Sequence, residues 1–477
     1  MKTFVIDRYV RNLKNARGIT LQELSRILGY SSQTSLTRLM KETANRSSLQ
    51  KFADRLRGCP QLALTQVEKN QLDDLIELYD IGGEDFEVML MLRQILRGER
   101  PQVSRDFRLV YPDGRTNSFL GHFAGVRIRR MLLLNSELAP IYQDLASLLE
   151  QGDFVLEHWL YARSGAMRMV HMLHIAMPLI YSQRYIARTF SYNDQEQVIP
   201  RGLITSDMLI CEYETEAGQV QNEIIIFNEL NRGQLQPVSA GIDCVMRFLP
   251  DVRRMNDVRR RISNIDLLQY NAFCAELERN RSVCRIKPDL GIEQIPLDIL
   301  RRAIHDQAPI EILQEMGPLV EAFRERQQNV CEKDAPQYHI LKRGAMWRFV
   351  HSGYTSDHLW CCRPYTIQER GAILRFLRDK LMTLPGFHLY FLKDDDALCD
   401  DEIILYEDCG LSILKSGTDY DMSREHAEIM ITQPELLKAF RRFFLESTLR
   451  YRVDTEEAAA AEIERMIAFC EAEVNGN

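Results

Sequence analysis

Gln33, Thr34, Thr37 and Arg38 fall on one side of a short segment whose other side is Leu36 and Leu39. Amide, hydroxyl and guanidinium groups presented together are tools for hydrogen-bonding the base edges of a duplex. Other residues with chemical potential resolve into packing or solvent. His351, His358, Cys361 and Cys362 could all ligate zinc. However, adjacent cysteines rarely share one tetrahedral metal, and no second pair follows at a fitting spacing, so no metal is expected. His171 and His174 share a face rich in Met and Leu, which reads as packing. Asp394, Asp395 and Asp396 with Asp400, Asp401 and Glu402 lack the alternating ligands and central glycine of a calcium loop, and read as a solvated turn. G-x-G-x-x-G, G-x-x-x-x-G-K-[ST], G-x-S-x-G and H-E-x-x-H are all absent. No catalytic residue and no cofactor is assigned, and the expectation is a protein that is not an enzyme.

The elements that must position the first group are legible. Thr20 and Glu23 have capping-box spacing, and Leu24, Ile27 and Leu28 form one apolar stripe behind them. Gly29 stops that helix, because glycine enters the left-handed conformation at little cost. Ser31 and Ser32 then offer a cap to a second helix that buries Leu36 and Leu39. Two short helices hinged in this way make a helix-turn-helix whose second helix suits the major groove. Charge points the same way. Residues 1–60 hold twelve Lys and Arg against four acids, a net of +8, in a chain whose total is −8; residues 61–477 therefore carry −16. A basic head on an acidic body is the footprint of a chain that meets phosphate with its head alone.

Residues from about 4 to 82 resemble the Cro/repressor-type (XRE-like) helix-turn-helix domain of bacterial and phage regulators. Ile6, Val10 and Leu13 supply a first helix; Leu49, Phe52, Ala53 and Leu56 a fourth; Thr65-x-x-Glu68 with Leu72, Leu75, Ile76 and Tyr79 a capped fifth that ends at Gly82-Gly83. The resemblance implies an all-α, five-helix, lambda-repressor-like domain that binds operator DNA. It implies base reading by Gln33, Thr34, Thr37 and Arg38, and phosphate contacts from Ser31, Ser32, Arg11, Lys14, Arg17 and Arg46. It also implies a homodimer on a two-fold symmetric site, since one such module buries too little DNA for tight specific binding.

At 477 residues the chain exceeds a single core, so several domains are expected. The reading is a helix-turn-helix domain over 1–82, a linking helix and linker over 83–103, an α+β lobe over 104–260, a mainly helical segment over 261–350, and a second α+β lobe with C-terminal helices over 351–477. The body is thus α+β or mixed α/β in two lobes. Strands are expected within 202–213, 221–230, 387–392, 402–406, 411–414 and 428–432, and mostly helix over 128–178 and 265–349. Both mixed patches run from paired strands into a helix with aromatic residues, Val245–Phe248 and Ala439–Phe444, a pattern a duplication leaves. No run is long enough for a membrane span, no signal peptide is apparent, and eleven cysteines form no C-x-x-C pair. A cytoplasmic transcriptional regulator is the function these features favour, its body serving oligomerisation and the sensing of a small-molecule or protein effector. A protein-interaction scaffold and an enzyme tethered to DNA are the rival readings.

Overall fold

The computed structural model describes residues 2–40, 46–77, 83–97, 107–134, 141–161, 165–180, 184–190, 207–229, 232–238, 242, 252–254, 256–259, 267–304, 321–327, 335–356, 362–393, 402–414 and 428–476. Six helices come first: α1 (Lys2–Ala16), α2 (Leu21–Ile27), α3 (Gln33–Leu39), α4 (Arg46–Arg57), α5 (Gln66–Glu77) and α6 (Gly83–Leu96). The first sheet is built from β1 (Arg108–Val110), β2 (Thr116–Ser118), β3 (Arg127–Leu134), β4 (Val155–Tyr161), β5 (Tyr185–Phe190), β6 (Met208–Glu214), β7 (Val220–Glu229), β8 (Arg232–Pro237) and β9 (Val252–Arg254). Helix α7 (Phe119–His122) follows β2, and α8 (Tyr142–Gln151) and α9 (Gly165–Ile180) cross over between β3, β4 and β5. The second sheet takes β10 (Asn256–Arg259), β11 (Val283–Lys287), β12 (Gln337–Leu341), β13 (Phe387–Phe391), β14 (Glu402–Tyr406), β15 (Gly410–Leu414) and β16 (Glu428–Ile431).

The two sheets repeat one plan. The first has strand order β2-β1-β8-β7-β6-β3-β4-β5-β9 and the second β10-β16-β15-β14-β11-β12-β13. Within these, β8-β7-β6-β3-β4-β5 and β16-β15-β14-β11-β12-β13 agree in spatial order, chain order and direction. In each, three parallel strands are followed by three antiparallel ones laid on the far side of the first. Register agrees too. Leu156 of β4 stands opposite Tyr185 and donates to Arg184 O at 2.8 Å; Gln337 of β12 stands opposite Phe387 and donates to Gly386 O at 2.8 Å. The repeat is thus carried by the sheets; Val245–Phe248, where a matching helix was expected, lies outside the described residues.

The expected fold class is overturned. The chain is α/β, with two large mixed sheets, and the N-terminal helices do not form an all-α five-helix unit with a core of its own. One continuous apolar core runs from Ile6 and Phe52 through Leu72 and Leu92 into Leu133, Leu156 and Leu209 of the first sheet. It continues to Ile286, Ile340 and Ile403 of the second sheet and to Phe440 in the helix Pro434–Arg442. The other face of the second sheet is covered separately, with Leu341, Leu389 and Phe391 under Leu300, Phe349, Leu377 and Ile463. Helical segments were expected over 128–178 and 265–349, yet β3, β4, β11 and β12 lie within them. Parallel strands buried on both faces lack the polar–apolar alternation that marks an antiparallel one, and β11 carries Arg and Lys inward.

A buried ionic hub joins the ends of the chain. Asp74 in α5 is fully buried, and its carboxylate accepts from Arg93 Nη1 at 2.7 Å, Arg97 Nη1 at 2.7 Å and Arg452 Nη2 at 2.9 Å. Arg93 Nη2 also donates to Ser447 Oγ at 2.6 Å, in the π-helical segment Phe443–Arg452. Burial alone would raise the Asp74 carboxyl, but the three guanidinium groups outweigh it and hold it below the ordinary range. Asp74→Asn leaves those cations buried without their counter-charge and is expected to lower stability by about 3–5 kcal/mol, read from the urea midpoint. A carboxyl depressed in the folded state contributes stability that is complete above its unfolded value, about 3.9, and is lost as pH falls through the folded value. The acid limb of the stability profile should therefore flatten in Asp74→Asn.

Candidate functional site

Two side-chain clusters stand out as candidate sites. The first is the α2–α3 face. Thr20 caps α2, its backbone N donating to Glu23 Oε2 at 2.8 Å while Glu23 N donates to Thr20 Oγ1 at 3.2 Å. The backbone and side-chain bonds from Thr20 hold the Glu23 carboxyl below its ordinary value. The turn takes Gly29 at φ +69°, which L side chains rarely adopt. Ser25 Oγ, buried in α2, donates to Ser32 O at 3.0 Å and fastens the turn from inside. Arg55 of α4 fastens it from outside, its guanidinium 4.4 Å over the Tyr30 ring and its Nη1 donating to Leu28 O and Gly29 O at 3.3 Å. Residue spacing gave no sign of Arg55, because its partners lie on a different helix.

Leu36 and Leu39 of α3 are buried, and Gln33, Thr34 and Arg38 are exposed together on its outer side. Thr37 is half-buried and its hydroxyl donates to Gln33 O at 3.0 Å, so that donor is already engaged. Ser31 is exposed; Ser32 occupies the N-cap of α3 without making a side-chain cap bond, its Oγ 3.5 Å from Ser35 Oγ. Arg11 is exposed beside Asp7 at 2.6 Å, and Lys14 is half-buried. Arg46 is the first residue of α4, but its side chain lies outside the described residues. Arg17, expected as a phosphate contact, is engaged within the fold: its Nε donates to Leu62 O at 2.8 Å and its Nη2 to Glu68 Oε2 at 2.7 Å, so it ties the end of α1 to the start of α5.

The second site was invisible in the sequence. On the helix-covered face of the second sheet, Arg285 and Lys287 of β11, Gln337 and His339 of β12, and Glu402 of β14 are all buried. Arg285 Nη2 lies 2.7 Å from Glu278, in the helix Leu267–Glu278, and its Nη1 donates to Gln337 Oε1 at 2.7 Å. Lys287 Nζ is 2.9 Å from Glu402, which is therefore an ion-pair member and not part of a solvated acidic turn; Asp394–Asp396, Asp400 and Asp401 lie outside the described residues. Glu293 sits at the centre, with Arg326 at 3.6 Å, Arg285 at 3.7 Å and Lys287 at 3.8 Å, and its oxygens accept no hydrogen bond from the described residues. Burial would raise the Glu293 carboxyl, but Lys287, Arg326 and Arg285 together drive it well below the ordinary range. Gly291 makes room for it, since a Cβ there would collide with the Glu293 carboxylate.

The duplicated register shows what this cluster adds. The pair Arg285↔His339 in the second sheet corresponds to Leu133↔His158 in the first, and Gln337, Ile404 and Ser412 correspond to Leu156, Leu209 and Ile225. The same frame stands with an apolar face in one copy and an ionic face in the other. The ionic face is thus not required by the topology, and burying such groups costs desolvation that pairing only partly returns. Both histidines sit beside the next strand's aromatic ring, His158 with Tyr185 at 6.0 Å between centroids and His339 with Phe387 at 4.8 Å. Gln294 Nε2 and His339 Nδ1 are 2.8 Å apart. Burial, aided by Arg285, pushes the His339 imidazole well below its ordinary value, so it is held neutral.

The histidines and cysteines weighed as metal ligands take packing roles where described. His351 stacks on Trp347 at 5.9 Å, Cys362 is buried, and His174 is buried beside half-buried His171; His358 and Cys361 lie outside the described residues. Among the described residues no three His, Cys, Asp or Glu side chains converge as a metal site.

No family model and no curated protein matches the chain. Among solved structures it is similar to a phosphatidylserine synthase from Haemophilus influenzae Rd KW20, with 7% identity over 70% of this chain and 83% of that one and a TM-score of 0.25. A likeness that slight assigns neither fold nor chemistry. Function must be argued from the sites themselves.

Arg285→Leu, which places the first sheet's residue in the second, is expected to cost about 3–5 kcal/mol in urea unfolding because Glu293 and Glu278 each lose a cation. The neutral His339 adds a pH signature. Its folded value lies below its unfolded one, about 6.5, so the unfolded chain binds protons first and stability declines as pH falls below that value. Thermal melts of His339→Phe across this range should lose that component of the slope.

Proposed function

We propose that this chain is a sequence-reading DNA-binding regulator that inserts α3 into the major groove. The observation that carries the reading is the composition and setting of the outer side of α3. Gln33, Thr34 and Arg38 are exposed on a helix that contains no acidic residue, over an inner side closed by Leu36 and Leu39 and a turn fastened by Ser25 and Arg55. Preorganised donors at the N-terminal end of a short helix suit base edges, Gln matching adenine and Arg matching guanine in bidentate pairs. The net charge of +8 over residues 1–60 supplies the attraction to phosphate. Ser31 and Ser32 immediately precede the reading helix, and with Lys14 and Arg11 of α1 they fit phosphate contacts, whereas Arg17 is engaged with Leu62 and Glu68.

Binding as a homodimer to a two-fold symmetric site follows from size, since one short reading helix contacts too few base pairs for tight specificity. The acidic two-sheet body is the part of the chain suited to pair copies and to receive an effector. A cytoplasmic setting agrees with the seven described cysteines, all of which are free thiols. No described helix is long and apolar enough to cross a membrane.

Selection of the full-length protein from a random double-stranded library at near-physiological salt should return one motif with two-fold symmetry. Gln33→Ala and Arg38→Ala should each weaken binding to it by about 1–3 kcal/mol and relax preference at single positions. Retention without any motif, vanishing as salt rises, would reduce the reading to charge attraction and overturn it.

A further inference from the structure

A second chemistry is assembled at the outer edge of the first sheet, far in sequence from α3. Tyr111, just past β1, has its hydroxyl 2.8 Å from His122 Nδ1 in α7. On the other side of the same ring, His122 Nε2 lies 2.8 Å from Glu223 Oε2 of β7. A carboxylate can only accept, so Nε2 carries a proton toward Glu223; in the form of the ring without a proton on Nδ1, that nitrogen accepts and the Tyr111 hydroxyl donates to it. Hydroxyl, imidazole and carboxylate in this order are the parts of an activated nucleophile: a base poised to take the hydroxyl proton, itself oriented by a third group.

The surroundings distinguish the two ends. His122 and Glu223 are nearly enclosed, the ring wedged against Phe123 at 4.7 Å between centroids and edge-on to Tyr213 at 6.3 Å, whose hydroxyl donates to Gln221 Oε1 at 3.1 Å. Tyr111 is only half-buried, at the base of the Pro112-Asp113-Gly114 turn, where Gly114 takes φ +84°. Arg115 is 79% exposed; its Nε donates to Asp113 Oδ2 at 2.7 Å, and its guanidinium stands 5.5 Å from the Tyr111 ring centroid. The enclosed end fixes the base, and the half-buried Tyr111 lies beside an exposed cationic side chain, which favours an anionic electrophile.

We propose that Tyr111 is a nucleophile for phosphate esters, with His122 as its general base, Glu223 as the positioning residue and Arg115 as the charge that draws the phosphoryl group. In the step, Tyr111 Oη forms a bond to phosphorus while the bond from phosphorus to the leaving oxygen breaks. The hydroxyl proton passes to His122 Nδ1 and from there to the departing oxygen. The product is a phosphotyrosyl protein and a free alcohol, with no change of oxidation state.

The test uses the full-length chain and two probes. An arylsulfonyl fluoride, read by peptide mass spectrometry at neutral pH, should label Tyr111 at least tenfold faster than Tyr354, which at 36% exposed is the more open of the two. This ratio needs no variant; equal labelling of the two overturns the proposal. His122→Ala should lower the Tyr111 rate by about 100-fold, the scale of a lost general base, with Tyr354 labelling unchanged; Glu223→Gln should lower it less. Undiminished labelling in His122→Ala also overturns it. Bis(4-nitrophenyl) phosphate should then release one equivalent of 4-nitrophenol per chain and leave the matching mass on Tyr111, at a rate reduced in Arg115→Ala. Sulfonyl labelling without any phosphoryl adduct would overturn the assignment to phosphate esters.

Discussion

A single carboxylate sets how the pieces of this chain lie. Asp74 has no water to share its charge with, so the only stable arrangement brings guanidinium groups to it. Two of these come from the next helix and its end, and the third arrives from Arg452, 378 positions along the chain. Satisfying that charge docks α5 and α6 against the segment Phe443–Arg452, which in turn leads to Val453, bridged to Leu392 at the end of β13. The N-terminal helices are thereby registered against the second sheet through ionic contacts as well as through the shared apolar core. Any movement of the second sheet that shifts Arg452 reaches α5 directly, and Arg17 and Glu68 carry it from α5 to α1.

The duplicated sheets show how one topology supports unlike interiors. In the first, Leu133, Leu156, Leu209 and Ile225 fill the helix-covered face; in the second, Arg285, Gln337 and Ser412 stand at three of these places and Ile404 at the fourth. An apolar face is the cheaper solution, so the ionic one reflects a demand other than stability. Its geometry gives a rigid answer to where each strand of the second sheet must sit. Arg285 binds one neighbouring strand through Gln337, Lys287 reaches the other through Glu402, and Glu293 holds the loop after β11 above both.

Legibility in the sequence followed the reach of the interactions. Helix α2 begins at its Thr20 cap and ends before Gly29, both visible as local spacing, and the outward set Gln33, Thr34 and Arg38 follows from the apolar partners Leu36 and Leu39. Strands β6, β7 and β13–β16 announce themselves through β-branched and aromatic runs. The parallel strands β3, β4, β11 and β12 do not, because they are closed on both faces and admit Arg, Lys and His whose partners are supplied by distant segments. The N-terminal helices read as a self-contained unit because a sequence pattern records which residues are buried but not against what. The same reason hid the relay: Tyr111 and His122 are eleven positions apart, but Glu223 lies 101 beyond His122.

Each six-stranded unit has two flanks, and three of the four are closed by an added strand. β1 covers β8, β9 covers β5, and β10 covers β16. The remaining flank, β13, has no added strand among the described residues. Instead Asp454 N donates to Phe391 O at 2.9 Å, Lys393 N donates to Arg452 O at 2.9 Å, and Glu456 at the head of the last helix accepts from both His388 and Tyr390 at 2.7 Å. The segment leading into the last helix therefore closes this flank much as a further strand would. Without it, β13 would offer a row of free amides and carbonyls under an apolar face, the template on which strands of other chains add and aggregates grow.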